Sequence, residues 1–178
     1  MVKNILVFFG GVDPDNCTSL AIQALAGISD EDLHVDVVIG VQHPNREQIQ
    51  QSCAARGYAC HVQTERMAQL MAAADLAIGA GGSTTWERMC LGLPAIVVSI
   101  ADNQTPTNQA LMEAGYINFL GEMGSVSVAD LVASIQRCLA SPDVLKTQSA
   151  MGRKLVTGGG IQMLCEQIFA ESRKQNAA

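Results

Sequence analysis

The sequence predicts an α/β fold of three layers, a parallel sheet of about six strands with helices on both faces, and three observations carry that prediction. Short continuous apolar runs, of the kind found in strands buried on both sides, alternate with helical patterns along nearly the whole chain. Glycine, proline and asparagine stand at the ends of those runs. Hydrophobic residues make up 48% of the chain and aromatic residues only 4%, so the core is aliphatic and suits helices layered on a sheet. With 178 residues, the span 1–178 reads as one domain large enough for a substantial core.

Each element has its own signal. Ile5-Leu6-Val7-Phe8-Phe9 reads as the first strand and stops at Gly10-Gly11. Asp13-Pro14-Asp15-Asn16 supplies turn and cap chemistry, with Asn16 as a cap, and Leu20, Ile22, Ala24, Leu25 and Ile28 give the first helix its packing face. Val35 to Gly40 is a second strand, and a polar helix from Arg46 to Arg56 ends at Gly57. Tyr58 to Val62 is a weaker third strand, followed by a short helix from Met67 to Ala74. After the apolar run ending at Ala80, a helix over Trp86 to Leu91 stops at Gly92-Leu93-Pro94, and Ala95 to Val98 is a fifth strand. A helix runs to Ala114, Ile117 to Leu120 is the last strand, and Val128 to Leu139, Asp143 to Leu155 and Ile161 to Lys174 read as helices.

Charge narrows the partners. Eleven basic against 17 acidic residues give a formal charge of −6, and a pI near 4.9 argues against nucleic acid or an anionic membrane surface. No run reaches the ~18 apolar residues of a membrane span. Cys17, Cys53, Cys60, Cys90, Cys138 and Cys165 form no C-x-x-C pair and no zinc spacing with His34, His43 or His61. With no secretory signal ahead of them, free thiols in a cytoplasmic protein, without metal or cofactor, are the expectation.

The stretch around which the chain is organised is Ala74 to Glu87: an apolar run, then Gly79-Ala80-Gly81-Gly82-Ser83-Thr84-Thr85, then a helix. Two readings stay open. Thr84 and Glu87 have the spacing of a capping box, in which the glycines only turn the chain. Alternatively the glycines let the backbone approach a ligand, and the free N–H groups of the first helical turn attract an anion such as a nucleotide diphosphate. In an open parallel sheet, ligands bind at the carboxyl ends of strands where the strand order reverses. Three loops meet that description: Phe9-Gly10-Gly11, Gly79 to Thr85, and Ser99 to Thr105. The absence of G-x-G-x-x-G and G-x-x-x-x-G-K-[ST] argues against a standard NAD domain and a P-loop NTPase.

The run Ala74 to Arg88, with Leu91-Gly92-Leu93-Pro94 and Ala101-Asp102-Asn103-Gln104, resembles the C-terminal half of the UDP-sugar hydrolases of pseudaminic acid biosynthesis. More broadly it is similar to the donor-binding, Rossmann-like domain of GT-B glycosyltransferases. The resemblance implies UDP or a UDP-sugar as ligand. It places Gly10, Gly11, Gly81, Gly82, Ser83 and Thr84 on the diphosphate, Glu87 on the ribose hydroxyls, and Asn103, Gln104 and Asn108 on the sugar; Asn16 could join them. In these hydrolases the proposed base is a histidine in a glycine-rich loop of an N-terminal domain. No Gly-x-Gly-His is present here, and His34, His43 and His61 lie outside the matching loops, so the catalytic group is unassigned. The chain is therefore expected to be the binding half of a hydrolase that releases a deoxy-diacetamido sugar, partnered by an N-terminal GT-B-like domain or chain. A glycosyltransferase half and a non-catalytic nucleotide-sugar module are the alternatives. Low charge and an uncovered apolar face would favour homo-oligomers.

Overall fold

The computed structural model describes residues 1–28 and 32–175. Six strands form one sheet: β1 (Asn4–Phe8), β2 (His34–Ile39), β3 (Ala59–Val62), β4 (Leu76–Ala80), β5 (Ala95–Ser99) and β6 (Asn118–Glu122). Between and after them run α1 (Cys17–Ala26), α2 (Arg46–Ala54), α3 (Met67–Ala73), α4 (Thr84–Leu91), α5 (Thr105–Glu113), α6 (Val128–Ala140), α7 (Pro142–Leu155) and α8 (Gly160–Gln175). All pairings are parallel and the order across the sheet is β3-β2-β1-β4-β5-β6. That order is the doubly wound, Rossmann-like one predicted from the alternation of elements.

Strand side chains alternate between two cores. Ile5, Val7, Val37, Ile78, Ile96 and Val98 face a layer that includes Ile22 and Leu25 of α1 and Leu131 and Ile135 of α6. Leu6, Val38, Ala77 and Val97 face the other layer, with Met71 of α3, Met89 of α4 and Leu111 of α5. β4 and β5 are buried along their whole length, as strands covered on both faces must be.

Two local differences from the sequence reading have clear causes. The last strand starts one residue later and runs to Glu122, because Gly121 (φ +122°) carries a register shift against Val97/Val98 of β5 and lets pairing continue past Leu120. Asn16 occupies the position before α1 in a left-handed conformation (φ 55°) but makes no side-chain cap bond. Asp13 caps instead, its carboxylate accepting from the N–H groups of Cys17 at 3.0 Å and Thr18 at 2.8 Å.

Candidate functional site

The strand order reverses between β1 and β4, which pair directly with Phe8 opposite Gly79. Two glycine loops leave the sheet from these adjacent ends. Gly10-Gly11 follows β1, with Gly10 at φ +102°, and Gly81-Gly82-Ser83 follows β4. The third loop, after β5, is a 3-10 turn over Asp102–Gln104. The topology thus gathers the three loops that the sequence singled out along one edge of the sheet.

The loop after β4 is held from below. Gly81 donates its N–H to the carbonyl of Val98 at 3.2 Å. A Cβ at Gly81 would collide with the side-chain amide of Asn108, so no other residue fits there without displacing it. Asn108 is itself fully buried and donates from Nδ2 to the Ser99 hydroxyl at 2.9 Å. Its Oδ1 is buried without a partner among the described residues. Asn108, expected on the sugar, therefore lies behind Gly81 and props the loop. Gln104 accepts from the N–H of Ile100 at 3.1 Å, and its Nε2 lies close to where a Cβ on Gly82 would be. Asn103 is exposed beside it.

The capping-box reading of Thr84 and Glu87 does not hold. Helix α4 begins at Thr84, so the residue preceding it is Ser83, which has helical dihedrals and makes no side-chain cap bond. The box fails because Thr84 is one position too far into the helix to cap it. Among the described residues the N–H groups of Gly82 and Ser83 donate to no protein acceptor. Ser83 and Glu87 are exposed, Thr84 is half-buried, and Trp86, the only tryptophan of the chain, is 43% exposed on the same first turn. Unpaired amides, the hydroxyls of Ser83 and Thr84 and a helix N-terminus on one small surface form an arrangement that attracts an anion.

Two groups that sequence spacing did not flag complete the neighbourhood. Arg88, one turn into α4, is 2% exposed and donates from Nη2 to the carbonyl of Ala80 at 2.8 Å and to the hydroxyl of Thr85 at 3.0 Å. Burial lowers its pKa to about 10, an effect that Glu87 partly offsets. An arginine in a short helix reads as a solvent-facing residue; the buried positions of Thr85 and Met89 on either side were the signal that it faces inward. On the other flank, His43, just beyond β2, is buried against Asp13 of the β1–α1 loop, with Nε2 3.3 Å from Oδ2. His34 is exposed, and His61 pairs with Asp36 at 2.6 Å on the outer strands, away from the glycine loops. Among the described residues no group of three or more His, Cys, Asp or Glu side chains could hold a metal ion. Nor is any described helix long and apolar enough to cross a membrane.

The chain is similar to known proteins along most of its length. It is 32% identical over 161 residues to the spore coat polysaccharide biosynthesis protein SpsG of Bacillus subtilis, covering 89% of this chain and 48% of that protein. The chain thus spans about half the length of that relative. Among solved structures it superposes on MurG of Acinetobacter baumannii with a TM-score of 0.71 at 19% identity, over 93% of this chain and 52% of that one. It superposes equally well on Anabaena HepE, solved in complex with UDP and glucose, with a TM-score of 0.70 at 17% identity, over 93% of this chain and 48% of that one. These likenesses confirm the GT-B C-terminal type of fold. The family model for the glycosyltransferase family 28 C-terminal domain matches residues 4–168, and the chain belongs to that family.

Proposed function

We propose that this domain binds the uridine diphosphate of a UDP-sugar at the crevice between β1 and β4, as one half of an enzyme of polysaccharide biosynthesis. The observation that carries the reading is the Gly81-Gly82-Ser83 loop: it sits at the reversal of strand order, its amides at Gly82 and Ser83 are unpaired, and it heads a helix. In this reading those amides, with the hydroxyls of Ser83 and Thr84, hold the diphosphate, and Gly10 and Gly11 close the other side of the crevice. Glu87 accepts from the vicinal hydroxyls of the ribose, where its negative charge does not oppose phosphate. Asn103 and Gln104 face the sugar, and Asn108 acts through Gly81. The UDP and glucose bound to HepE, and the polysaccharide role in the name of SpsG, support this choice of ligand.

The reaction we assign is hydrolysis, releasing a deoxy-diacetamido sugar from UDP, on the strength of the Gly81-to-Arg88 run. Sugar transfer is the second reading, favoured by the description of the matching family. The catalytic group belongs to the remaining half of the enzyme, which lies outside the matched portion of the relatives. That half also covers α8, whose Ile161, Leu164, Ile168 and Phe169 are each more than half exposed.

Trp86 reports on the site. Titrating UDP into the chain is expected to give a saturable change in tryptophan fluorescence and a matching calorimetric isotherm; absence of both overturns the reading. With an N-terminal half supplied, free sugar released without acceptor supports hydrolysis, and acceptor-dependent transfer supports the second reading.

A further inference from the structure

Arg88 is the only buried guanidinium among the described residues, and no carboxylate among them forms an ion pair with it. Its hydrogen-bond partners are the Ala80 carbonyl and the Thr85 hydroxyl, with Thr84 Oγ1 at the long end of bonding range, 3.5 Å. No carboxylate among the described residues forms an ion pair with it, and its Nε is buried without a partner. Glu87, the adjacent residue, is exposed and makes no ion pair with it. A buried charge held only by neutral oxygens weakens the folded state, and a chain with 17 acidic residues has carboxylates to spare for pairing it.

The position of that charge is as unusual as its lack of a partner. Ala80 is the last residue of β4 and Thr85 lies in the first turn of α4, so one guanidinium grips both ends of the Gly81-to-Thr84 segment. Gly79 makes room for it, since a Cβ there would meet the carbonyl of Phe8 and lie 3.1 Å from Arg88 Nη1. The cation is buried beneath the loop whose Gly82 and Ser83 amides have no protein acceptor, bonded to the residues at either end of it. In such a setting a charge acts on a nearby anion far more strongly than it does across solvent.

We propose that Arg88 is the counter-charge of the anion site, a buried cation that attracts a bound diphosphate from beneath the Gly81-to-Thr84 loop while fixing the loop's shape. This rests on the nucleotide-binding reading and deepens it: residues 79–87 contain no lysine or arginine, and this acidic domain carries the needed positive charge inside. Arg88 is a positioning residue, acting through the loop and the field it creates and not by touching the ligand. Its loss then separates phosphate recognition from base and ribose recognition.

The test compares UDP, inorganic pyrophosphate and uridine on the 178-residue chain, its Arg88→Met and its Arg88→Lys variants, using calorimetry for tight ligands and amide chemical-shift titration for weak ones. Arg88→Met is expected to lose at least tenfold in affinity for UDP and pyrophosphate, with uridine affinity unchanged within twofold. Arg88→Lys, which keeps the charge, is expected to retain most of the UDP preference. The thermal midpoint of Arg88→Met is expected to equal or exceed that of the parent, because an unpaired buried charge has been removed. Parallel losses for UDP and uridine, or unchanged UDP affinity, overturn the inference and leave the nucleotide reading standing. Should Arg88→Met not fold, Arg88→Gln carries the same comparison. Binding of pyrophosphate but not UDP by the parent overturns the nucleotide reading alone, and binding of neither overturns both.

Discussion

The ring of His43 donates from Nε2 to the Asp13 carboxylate across 3.3 Å, with both side chains at or below 1% exposure. The tautomer is set by the backbone: the N–H of Asn45 donates to His43 Nδ1 at 3.1 Å, so the proton resides on Nε2. Asp13 also accepts from the Cys17 and Thr18 amides and the Thr18 hydroxyl, and it does so from a left-handed backbone (φ 43°). One carboxylate therefore ties the loop carrying Gly10 and Gly11 to the start of α1 and to the end of β2. Asp13→Ala removes the helix cap and leaves His43 Nε2 buried without an acceptor, an expected loss of about 3 kcal/mol. His43→Ala leaves the carboxylate satisfied by three donors and is expected to cost less, about 1–3 kcal/mol. Urea unfolding of both variants checks the order.

Glu87→Gln isolates the ribose contact. Loss of a charge-assisted pair of hydrogen bonds is expected to weaken UDP by about 1.5–3 kcal/mol. Affinity for pyrophosphate is expected to stay the same, because in this reading the carboxylate faces the ribose and not the anion. Because Glu87 is exposed and uncommitted, the thermal midpoint should not move by more than about 1 °C, in line with its surface position.

Gly81→Ala drives a methyl group into the Asn108 amide. Overpacking of this kind is expected to cost about 1–3 kcal/mol and to distort the loop, so UDP affinity falls along with stability. Adding Asn108→Ala removes the obstruction. The double variant is expected to be more stable than the two single losses predict, a coupling of about 0.5–3 kcal/mol by a double-mutant cycle.

All six cysteines are unpaired, and burial raises the Cys17, Cys53 and Cys138 thiols. Cys53 is pushed up to about 12 and Cys138 to about 11, while the charge of Asp13 adds to the effect of burial at Cys17. A thiol that titrates higher when folded than when unfolded leaves stability intact below its unfolded pKa. The contribution is then lost as pH rises toward the folded value. Unfolding free energy is therefore expected to decline from about pH 9 upward, less steeply in Cys138→Ala. At pH 8 iodoacetamide is expected to label the exposed Cys165 first and to spare Cys17, Cys53 and Cys138 in the folded chain, as peptide mass spectrometry will record.

What the sequence made legible was the sheet and the loops at its edge. Periodicity located all six strands, and the glycines marked which strand ends turn sharply enough to meet a ligand. Periodicity carries no information about which residues meet across the fold. Asp13 and His43 are 30 positions apart, and only the pairing of β1 with β2 makes them neighbours. Asn108 reads as a polar residue at an exposed helix start, yet α5 packs so that it supports Gly81 from within. The Thr84–Glu87 spacing matched a cap, but the helix begins at Thr84 itself, one residue earlier than the motif requires.

The strand order also sets when the crevice can exist. β1 pairs with β2 and with β4, and the second pairing closes a far longer stretch of chain. Pairings between distant segments form late, because the entropy of closing the intervening loop must be met before any contact rewards it. The loops carrying Gly10 and Gly81 thus come to adjacent strand ends only in molecules that have joined the two halves of the sheet. Binding at this crevice is consequently a measure of complete folding, and a ligand held there slows global unfolding more than the fraying of any single helix.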